Sequence, residues 1–362
     1  AAAQLQGYIQ KSTGILLPIT AQFNGQRQIL VGASDAAASL LSQDFAKPFK
    51  KDEILIAPAR KNLILAGDRP RGTLYAVFEY LERDLGIRFW SVDEELVPKL
   101  TTLHPPLESF RYAPPIKIRA ITFYDAIHNP AFAVKRRFAG YGFEIPEAWG
   151  GTITLIGPWH TFDRFLPADK YFAAHPEWYS LVNGERLGGQ TKGQLCLSNK
   201  EMRRELLKQV QQELRNSPSP EIISVTQNDN KSFCTCDACQ ELSKRTGGES
   251  GAMIDMVNEI AAEISKDFPD VLIQTFAYQY TRHVPTNRPR SNVSPFICTI
   301  ERDISRSLDD TQSAVNAGIV HDLAGWGEIS KQIDIWDYVT SFSTYLLPLP
   351  NLDTTPRDLR LY

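Results

Sequence analysis

The sequence predicts an α/β protein in which a (β/α)8-type barrel, lacking its last unit, follows a small α+β domain. From about residue 111, short apolar segments alternate with longer segments of helical periodicity, which is the pattern of repeating βα units. Two of the apolar segments, 222–226 and 296–300, run directly into polar and acidic residues. Carboxylates and amides that follow buried strands are typical of the edge of a barrel at which its sites lie.

The α+β domain is predicted over residues 1–110. Residues 72–82 carry apolar side chains at the spacing of one helix face, and Gly86 follows as a C-terminal cap. Residues 100–115 contain four prolines and no periodicity, so we predict a linker there. Three strand-like segments are separated by polar residues, glycine or proline: 27–32, 53–57 and 62–67.

The barrel is predicted over residues 111–362, and no eighth strand is visible in it. A doubly wound open sheet is the rival fold, but no glycine-rich phosphate-binding loop follows any predicted strand. Because both ends of the sequence lie within helical patterns, we expect a fragment of a longer protein. The predicted strands are 118–123, 152–156, 194–197, 222–226, 271–277, 296–300 and one after Ile335, and the predicted helices are 200–216, 252–267 and 307–317.

Composition excludes several classes of protein. The chain is 43% apolar and 22% charged, as in ordinary globular proteins, and its formal net charge of −3 argues against a nucleic-acid partner. No apolar run approaches the roughly 20 residues of a membrane span, and no signal peptide is visible. The motifs of α/β-hydrolases, P-loop proteins and zinc proteases are missing as well.

Asp229 is the first candidate for a catalytic residue, because it follows the strand 222–226 within a polar run. A carboxylate in this position can act as an acid or base, or it can orient a substrate. The neighbouring amide of Asn228 favours a binding site. The alternative is that Asp229 caps the next helix, a role for which Asp is well suited.

Glu301 is the second candidate, since it follows the strand 296–300. Two carboxylates at two strand ends suggest acid–base chemistry, and glycoside hydrolysis is the commonest use of such a pair. The alternative for Glu301 is an ion pair with Arg302 or another nearby base. Asp303 is a candidate substrate contact, with a turn residue as the alternative.

Five further side chains follow predicted strands and are candidate substrate-binding residues. An imidazole or phenol can hydrogen-bond to a sugar hydroxyl, and a flat ring can stack on a sugar. The alternative for each is packing in the core. The five residues are His160, Tyr278, Tyr280, Trp336 and Tyr338.

Three cysteines, Cys234, Cys236 and Cys239, form a C-x-C-x-x-C cluster beside Asp229. We predict no cofactor and no metal for the chain. The weaker alternative is that these thiols supply three zinc ligands, with the fourth from Cys196, Cys298 or a histidine. A disulfide that fixes the loop is equally compatible with the spacing, although the odd total of five cysteines prevents full pairing.

A set of motifs is spread along nearly the whole chain. In the first domain they are 72–79 and 86–90, and in the second they are 159–162, 175–179, 194–199, 227–230, 277–281, 300–301 and the cysteine cluster. With these motifs the chain resembles a bacterial family of domains of unknown function, common in gut Bacteroidetes, that contains glycoside hydrolase family 163. Within them, the resemblance adds Asn199 to the candidate substrate contacts.

The resemblance implies an N-terminal domain like that of family 20 hexosaminidases and α-glucuronidases, followed by a catalytic barrel. It implies endo-β-N-acetylglucosaminidase activity on N-glycans, by a retaining mechanism in which the substrate's acetamido oxygen attacks the anomeric carbon. It also implies a secreted or periplasmic location. The expected partner is an oligosaccharide or a glycoprotein glycan.

The resemblance leaves the roles of the two carboxylates open. Family 20 enzymes place an adjacent Asp-Glu pair at the fourth strand end, where this chain has Asn228-Asp229. Asp229 therefore either takes the place of the acid or contacts the acetamide while Glu301 is the acid, and we prefer the second assignment. A general acid needs a pKa raised toward the working pH.

Two other functions stay open at this point. One is a glycosidase of the same superfamily that acts on uronic acids, with Arg119, Arg282 or Arg302 as a clamp for the sugar carboxylate. The other is a carbohydrate-binding protein with a degenerate barrel and no catalytic activity.

Overall fold

A computed structural model describes all 362 residues, and the chain divides into two compact units. The units are Ala1–Ile153 and Thr154–Tyr362. The predicted domain boundary lies earlier, in the proline-rich segment. Residues 111–153 belong with the first unit because buried side chains such as Phe132 and Phe143 pack in its hydrophobic core.

The first unit contains six α-helices, one short 3-10 helix at Glu147–Trp149 and six strands. The helices are α1 (Ala2–Thr13), α2 (Asp35–Leu40), α3 (Ser42–Phe45), α4 (Gly72–Arg83), α5 (Tyr124–His128) and α6 (Pro130–Lys135). The strands are β1 (Ile29–Val31), β2 (Ile54–Ala59), β3 (Asn62–Gly67), β4 (Arg88–Phe89), β5 (Glu95–Leu96) and β6 (Phe110–Tyr112).

The main sheet of the first unit has the strand order β1-β3-β2-β6. β1 runs parallel to β3, whereas β2 is antiparallel to both β3 and β6. The apolar face of α4 packs on this sheet, as its periodicity predicts. The predicted linker differs in one respect: Phe110–Tyr112 forms an edge strand, because its prolines lie outside those three residues.

The second unit contains seven α-helices, two short 3-10 helices at Pro176–Trp178 and Gln279–Thr281, and seven strands. The helices are α7 (Phe162–Phe165), α8 (Ala168–Tyr171), α9 (Lys200–Asn216), α10 (Asp237–Thr246), α11 (Glu249–Asp267), α12 (Ala314–Ile329) and α13 (Thr355–Leu361). The strands are β7 (Leu155–Ile156), β8 (Ser180–Val182), β9 (Glu185–Leu187), β10 (Ile222–Ser224), β11 (Leu272–Ala277), β12 (Val293–Cys298) and β13 (Asp334–Trp336).

The main sheet of the second unit has five parallel strands in the order β13-β12-β11-β10-β7. α-Helices connect β7 to β10, β10 to β11 and β12 to β13, whereas β11 and β12 are joined by a loop with one short 3-10 helix at Gln279–Thr281. β10 and β12 are buried along their whole length, and the apolar faces of α9 and α11 pack in the same core. The mixed α/β class with a parallel sheet is therefore confirmed.

The closed eight-stranded barrel does not form in residues 1–362, because five strands make an open sheet. Two of the predicted barrel strands are wrong. In the segment 118–123 only Arg119 makes an isolated bridge, to Ala139, and in the segment 194–197 only Leu195 makes one, to Tyr179.

The helix predicted at 307–317 is displaced, since α12 spans Ala314–Ile329. Three glycines lie inside α12. Because glycine has a low helix propensity, the sequence there does not indicate a helix. Gly325 has a packing reason, because a Cβ atom there would lie 2.7 Å from Val284. None of the helices in the chain combines the length and apolar content that crossing a lipid bilayer requires.

Candidate active site

The carboxyl ends of the five parallel strands lie along one edge of the sheet, and most of the candidate residues follow those ends. Parallel strands present their carboxyl ends on the same side, so residues from separate parts of the sequence meet there. The residues that follow the strands are Trp159 and His160 after β7, Asp229 after β10, Tyr278 after β11, Glu301 after β12, and Asp337 and Tyr338 after β13.

Asp229 is held by two neighbours at this edge. The Tyr278 hydroxyl donates to Oδ1 of Asp229 at 3.2 Å, and Nε2 of His160 lies 3.8 Å from the same oxygen. The side chain of Asp229 is 56% exposed, so its second oxygen remains open to a ligand. The carboxylate is therefore oriented by protein groups on one side and accessible on the other.

The protonation of His160 follows from its second contact. Nδ1 of His160 lies 2.6 Å from the backbone carbonyl oxygen of Gln227. A carbonyl oxygen can only accept a hydrogen bond, so Nδ1 carries a proton and donates it. Nε2 is the nitrogen that faces Asp229.

Tyr278 is a hydrogen-bond donor over the whole physiological pH range. Burial, followed by the negative charge of Asp229, raises the pKa of Tyr278 to about 12. The hydroxyl therefore stays protonated and points at a carboxylate oxygen that it can only donate to. A ligand group that accepts a hydrogen bond in place of Asp229 would meet a ready donor.

Asn228 faces the protein interior instead of the site. Its Nδ2 donates to the Gly193 carbonyl oxygen, and its Oδ1 accepts from the backbone N–H of Asp163. Both ends of the amide are thus occupied by backbone groups, which differs from the predicted contact with substrate. The capping alternative for Asp229 is wrong, since Cys236 occupies the N-cap of the next helix, α10.

Glu301 forms the ion pair of the alternative, with a nearby base other than Arg302. Oε2 of Glu301 lies 3.0 Å from Nη1 of Arg282, whose Nε donates to the buried Asp322 carboxylate at 2.8 Å. Arg282 is thus shared between a buried carboxylate on α12 and a half-exposed one at the strand edge. Arg302 is buried and pairs with Asp358, at 2.8 Å.

An aromatic cluster fills the space beside the two carboxylates. It consists of Phe276, Tyr278, Phe296, Cys298, Trp336 and Tyr338, which come from β11, β12, β13 and the residues that follow them. The ring of Trp159 lies 6.4 Å from that of Trp336, and Trp159 is 51% exposed. Trp159, Trp336 and Tyr338 keep part of their rings accessible at the strand edge, and an accessible aromatic ring can stack on a sugar.

Both carboxylates act on the same members of this cluster. Burial is the first cause that raises the pKa of Tyr338 above its usual range, and the charges of Glu301 and Asp229 add to it. Burial also raises the pKa of Cys298, with the same two carboxylates among the further causes. The charges of Asp229 and Glu301 therefore both act on Tyr338 and Cys298.

Three predicted substrate contacts have structural roles. Asn199 caps α9, accepting from the backbone N–H groups of Glu201 and Met202. Tyr280 stacks on Phe233, with ring centroids 5.2 Å apart. Oδ1 of Asp303 accepts from the backbone and hydroxyl of a serine two residues later, which is the turn alternative.

Two residues at this edge were not selected from the sequence. Trp159 has a left-handed backbone, with φ of 70°, and the Thr226 hydroxyl donates to its carbonyl oxygen. Such strain concentrates at functional sites. Asp337 accepts from the Thr299 hydroxyl at 2.9 Å and lies 3.2 Å from Arg302. Position directly after a strand is the signal that would have found both.

The cysteine cluster forms a separate group behind the loop that carries Asp229. The thiols of Cys234, Cys236 and Cys239 meet that of Cys196, and the four sulfur atoms lie within 4.8 Å of one another. All five thiols are free, so the disulfide alternative does not form in this structure. Four thiolates are a ligand set that suits Zn²⁺.

Residues 89–362 match a family model described as Domain of unknown function (DUF4838). The chain belongs to this family. The match covers most of the sequence, including all residues of the strand edge. A search of curated proteins finds no match.

Several solved structures are similar to this DUF4838 chain in outline. "A Glycoside Hydrolase Family 20 beta-N-Acetylglucosaminidase" shares 12% identity over 94% of this chain and 69% of its own, with a TM-score of 0.44. A beta-N-acetylhexosaminidase from Bacteroides fragilis NCTC 9343 shares 10% over 95% and 72%, with a TM-score of 0.45. At such identities and TM-scores the likeness carries no argument about activity.

Replacing Arg282 with Met is expected to destabilise the second unit, because it leaves the Asp322 carboxylate buried without its main partner. Removing one member of a buried ion pair costs about 3–5 kcal/mol. The free energy of unfolding would be measured by urea denaturation followed by tryptophan fluorescence. Arg164→Met, which breaks a half-exposed pair with Glu213, is the matched control and should cost less than about 1 kcal/mol.

The double variant Arg282→Met/Asp322→Leu distinguishes a lost charge pair from lost packing. With both charges removed, no unpaired ion is left in the core, so much of the lost stability should return. Equal losses in the single and double variants would contradict the shared role of Arg282.

Proposed function

We propose that this DUF4838 chain is a glycoside hydrolase that acts on glycans containing N-acetylglucosamine. The observation that carries the proposal is the pair of carboxylates, Asp229 and Glu301, after β10 and β12, with one aromatic surface beside both. Paired carboxylates on either side of a glycosidic bond are the recurring machinery of this chemistry. One strand separates β10 from β12, so their axes lie about 10 Å apart, wide enough for a sugar ring between the two side chains.

The first step in the proposed mechanism forms a bond within the substrate. The acetamido oxygen attacks the anomeric carbon, while the bond from that carbon to the leaving oxygen breaks. Glu301 gives its proton to the leaving oxygen. Asp229, oriented by Tyr278 and His160, accepts a hydrogen bond from the acetamido N–H and stabilises the positive charge that develops on the resulting oxazolinium ring.

The second step returns both carboxylates to their starting state. Glu301, now ionised, takes a proton from a water molecule, whose oxygen attacks the anomeric carbon and opens the ring. The acetamide is restored, and the product keeps the configuration of the substrate. The enzyme needs no covalent bond to the sugar, which is why this class departs from the usual two-carboxylate scheme.

Arg282 has a positioning role in this proposal. It lies 3.0 Å from Glu301 and 2.8 Å from Asp322, so its charge is divided between two carboxylates. When a leaving oxygen takes its place next to Glu301, Arg282 retains Asp322 as its partner. Glu301, released from the ion pair, takes up a proton from solvent and then turns toward the leaving oxygen.

The more specific proposal is an endo-β-N-acetylglucosaminidase that cleaves the chitobiose core of N-glycans. It is supported by the resemblance to the family that contains glycoside hydrolase family 163. With it comes the proposal that the protein works outside the cytoplasm, where such glycans are found.

Incubation of the chain with a biantennary N-glycoprotein tests this activity. We expect a released glycan that ends in one N-acetylglucosamine, with the partner sugar left on asparagine, both detected by mass spectrometry. Loss of single terminal sugars would replace the endo-acting assignment by an exo-acting one. An unchanged glycoprotein and unchanged free glycans would contradict the proposal.

Separate substitution of the two carboxylates tests their roles. Glu301→Gln should lower kcat by at least about 10²-fold on natural glycans, and by much less on aryl N-acetylglucosaminides whose leaving groups need no proton. Asp229→Asn should lower kcat on both substrates, because the acetamide must attack in either case. The steady-state rates of the two variants on both substrates are the measurement.

The control for this pair is Glu263→Gln, on α11, where Glu263 pairs only with an exposed lysine. It should keep the rates of the unaltered chain. If Asp229→Asn is the variant rescued by activated leaving groups, the two roles are exchanged. If both variants keep full rate, neither residue is catalytic.

A uronic-acid substrate is a second candidate, favoured by one observation. Arg282 lies at the strand edge beside Glu301, where it could clamp a sugar carboxylate. Arg302 is buried in its own ion pairs, and Arg119, which lies in the first unit, pairs with Asp52. Faster hydrolysis of aryl uronides than of aryl N-acetylglucosaminides would favour this candidate.

A further inference from the structure

Four of the five cysteines converge from three places in the sequence. Cys196 precedes α9, Cys234 and Cys236 lie in the loop after β10, and Cys239 lies in the first turn of α10. Their sulfur atoms lie within 4.8 Å of one another. Cys298, the fifth, belongs to the aromatic cluster at the end of β12.

The spacing of the sulfurs fits a single metal ion. Sγ of Cys196 lies 3.7 Å from Sγ of Cys236 and 3.7 Å from Sγ of Cys239. A tetrahedron of thiolates at the usual Zn–S distance has edges of about 3.8 Å. A disulfide would bring two sulfurs to about 2.05 Å, so the observed distances match ion ligands and not a covalent pair.

The surroundings of the sulfurs suit thiolates. The backbone N–H of Leu181 donates to Sγ of Cys234 at 3.3 Å, and Nη1 of Arg186 lies 3.9 Å from the same sulfur. The Ser198 hydroxyl lies 3.1 Å from Sγ of Cys239. Donors and a positive charge around metal-bound thiolates hold the ligands in place and offset the net negative charge of a Zn²⁺ ion with four of them.

We propose that Cys196, Cys234, Cys236 and Cys239 bind one Zn²⁺ ion. Four protein ligands fill the coordination of zinc and leave no open position, so the ion is structural and takes no part in catalysis. Three of the four thiols are buried, which limits exchange of the ion with solvent. The proposal goes beyond the glycosidase function and does not depend on it.

Together with Gln194, the ion would hold the loop that carries Asp229 in place. Gln194, two residues before Cys196, accepts from the backbone N–H of Asn228 at 2.9 Å and donates to the carbonyl oxygens of Asn228 and Asn230 at 2.8 Å each. The metal would tie Cys196 to the cysteines that follow Asn230. The metal site does not depend on the proposed function, whereas a role for the ion in positioning Asp229 for catalysis does.

Metal content of the chain as purified, without added chelator, is the first measurement. Elemental analysis by mass spectrometry should find about one zinc per chain, and Cys196→Ser or Cys239→Ser should lower this to below about 0.1. Cys298→Ser, which removes a buried cysteine outside the cluster, is the matched control and should keep the zinc. Iron in place of zinc, or equal metal loss in all three variants, would overturn the proposal.

A thiol count covers the case in which the cysteine variants fail to fold. The unaltered chain, denatured with a chelator but without a reductant, should react at all five cysteines with a thiol reagent. Two disulfides in the cluster would leave a single reactive thiol and would overturn the proposal. Replacement of the ion by Co²⁺ should also give the absorption of a tetrahedral thiolate complex, and its absence would overturn it too.

The outcomes separate this proposal from the glycosidase proposal. Stoichiometric zinc without glycan release would uphold the metal site and contradict the proposed activity. Glycan release by a chain that contains no zinc and two disulfides would uphold the proposed activity and contradict the metal site. Chelation that strips the zinc should lower the melting temperature of the unaltered chain and of the Cys298→Ser chain alike.

Discussion

The parallel pairing of β10, β11 and β12 is the constraint on which the candidate site depends. Ile223, Ile273 and Ile297 are completely buried on these strands, and a parallel sheet needs helices over its faces to achieve such burial. The same packing fixes the direction of all three strands. Their carboxyl ends therefore share one edge, and Asp229 and Glu301 reach it from positions that are far apart in the sequence.

Polar contacts of a few residues then determine how the two carboxylates at this edge are oriented. The buried carboxamide of Gln194 satisfies three backbone groups on either side of Asp229. Losing it would leave those groups unpaired, at a cost of about 1–3 kcal/mol for each one that is buried. Tyr278 and Arg282 orient the two carboxylates from another loop, the one that follows β11. The two acids are held by different kinds of partner, a neutral hydroxyl and a cation, which is a physical basis for unequal roles.

Periodicity in the sequence was enough to predict the strands around 222–226 and 271–277 and the helix 200–216, since each has a clear apolar face. The placement of both carboxylates after strands also followed from local pattern. Helix α12 was not predicted at its observed position, because it contains three glycines and glycine has a low helix propensity. The contacts of Arg282 were not predicted because they depend on loops that fold across the sheet, and no local signal encodes such contacts.

Binding of a thiazoline analogue of the oxazolinium intermediate, built on N-acetylglucosamine, tests the central claim most directly. An enzyme that uses the substrate's acetamide should bind this analogue at least about 10²-fold more tightly than N-acetylglucosamine. Calorimetry on the unaltered chain and on Asp229→Asn would measure both affinities. The account predicts tight binding that is lost in the variant. Equal affinity for the analogue and for N-acetylglucosamine, or tight binding that survives in Asp229→Asn, would contradict it.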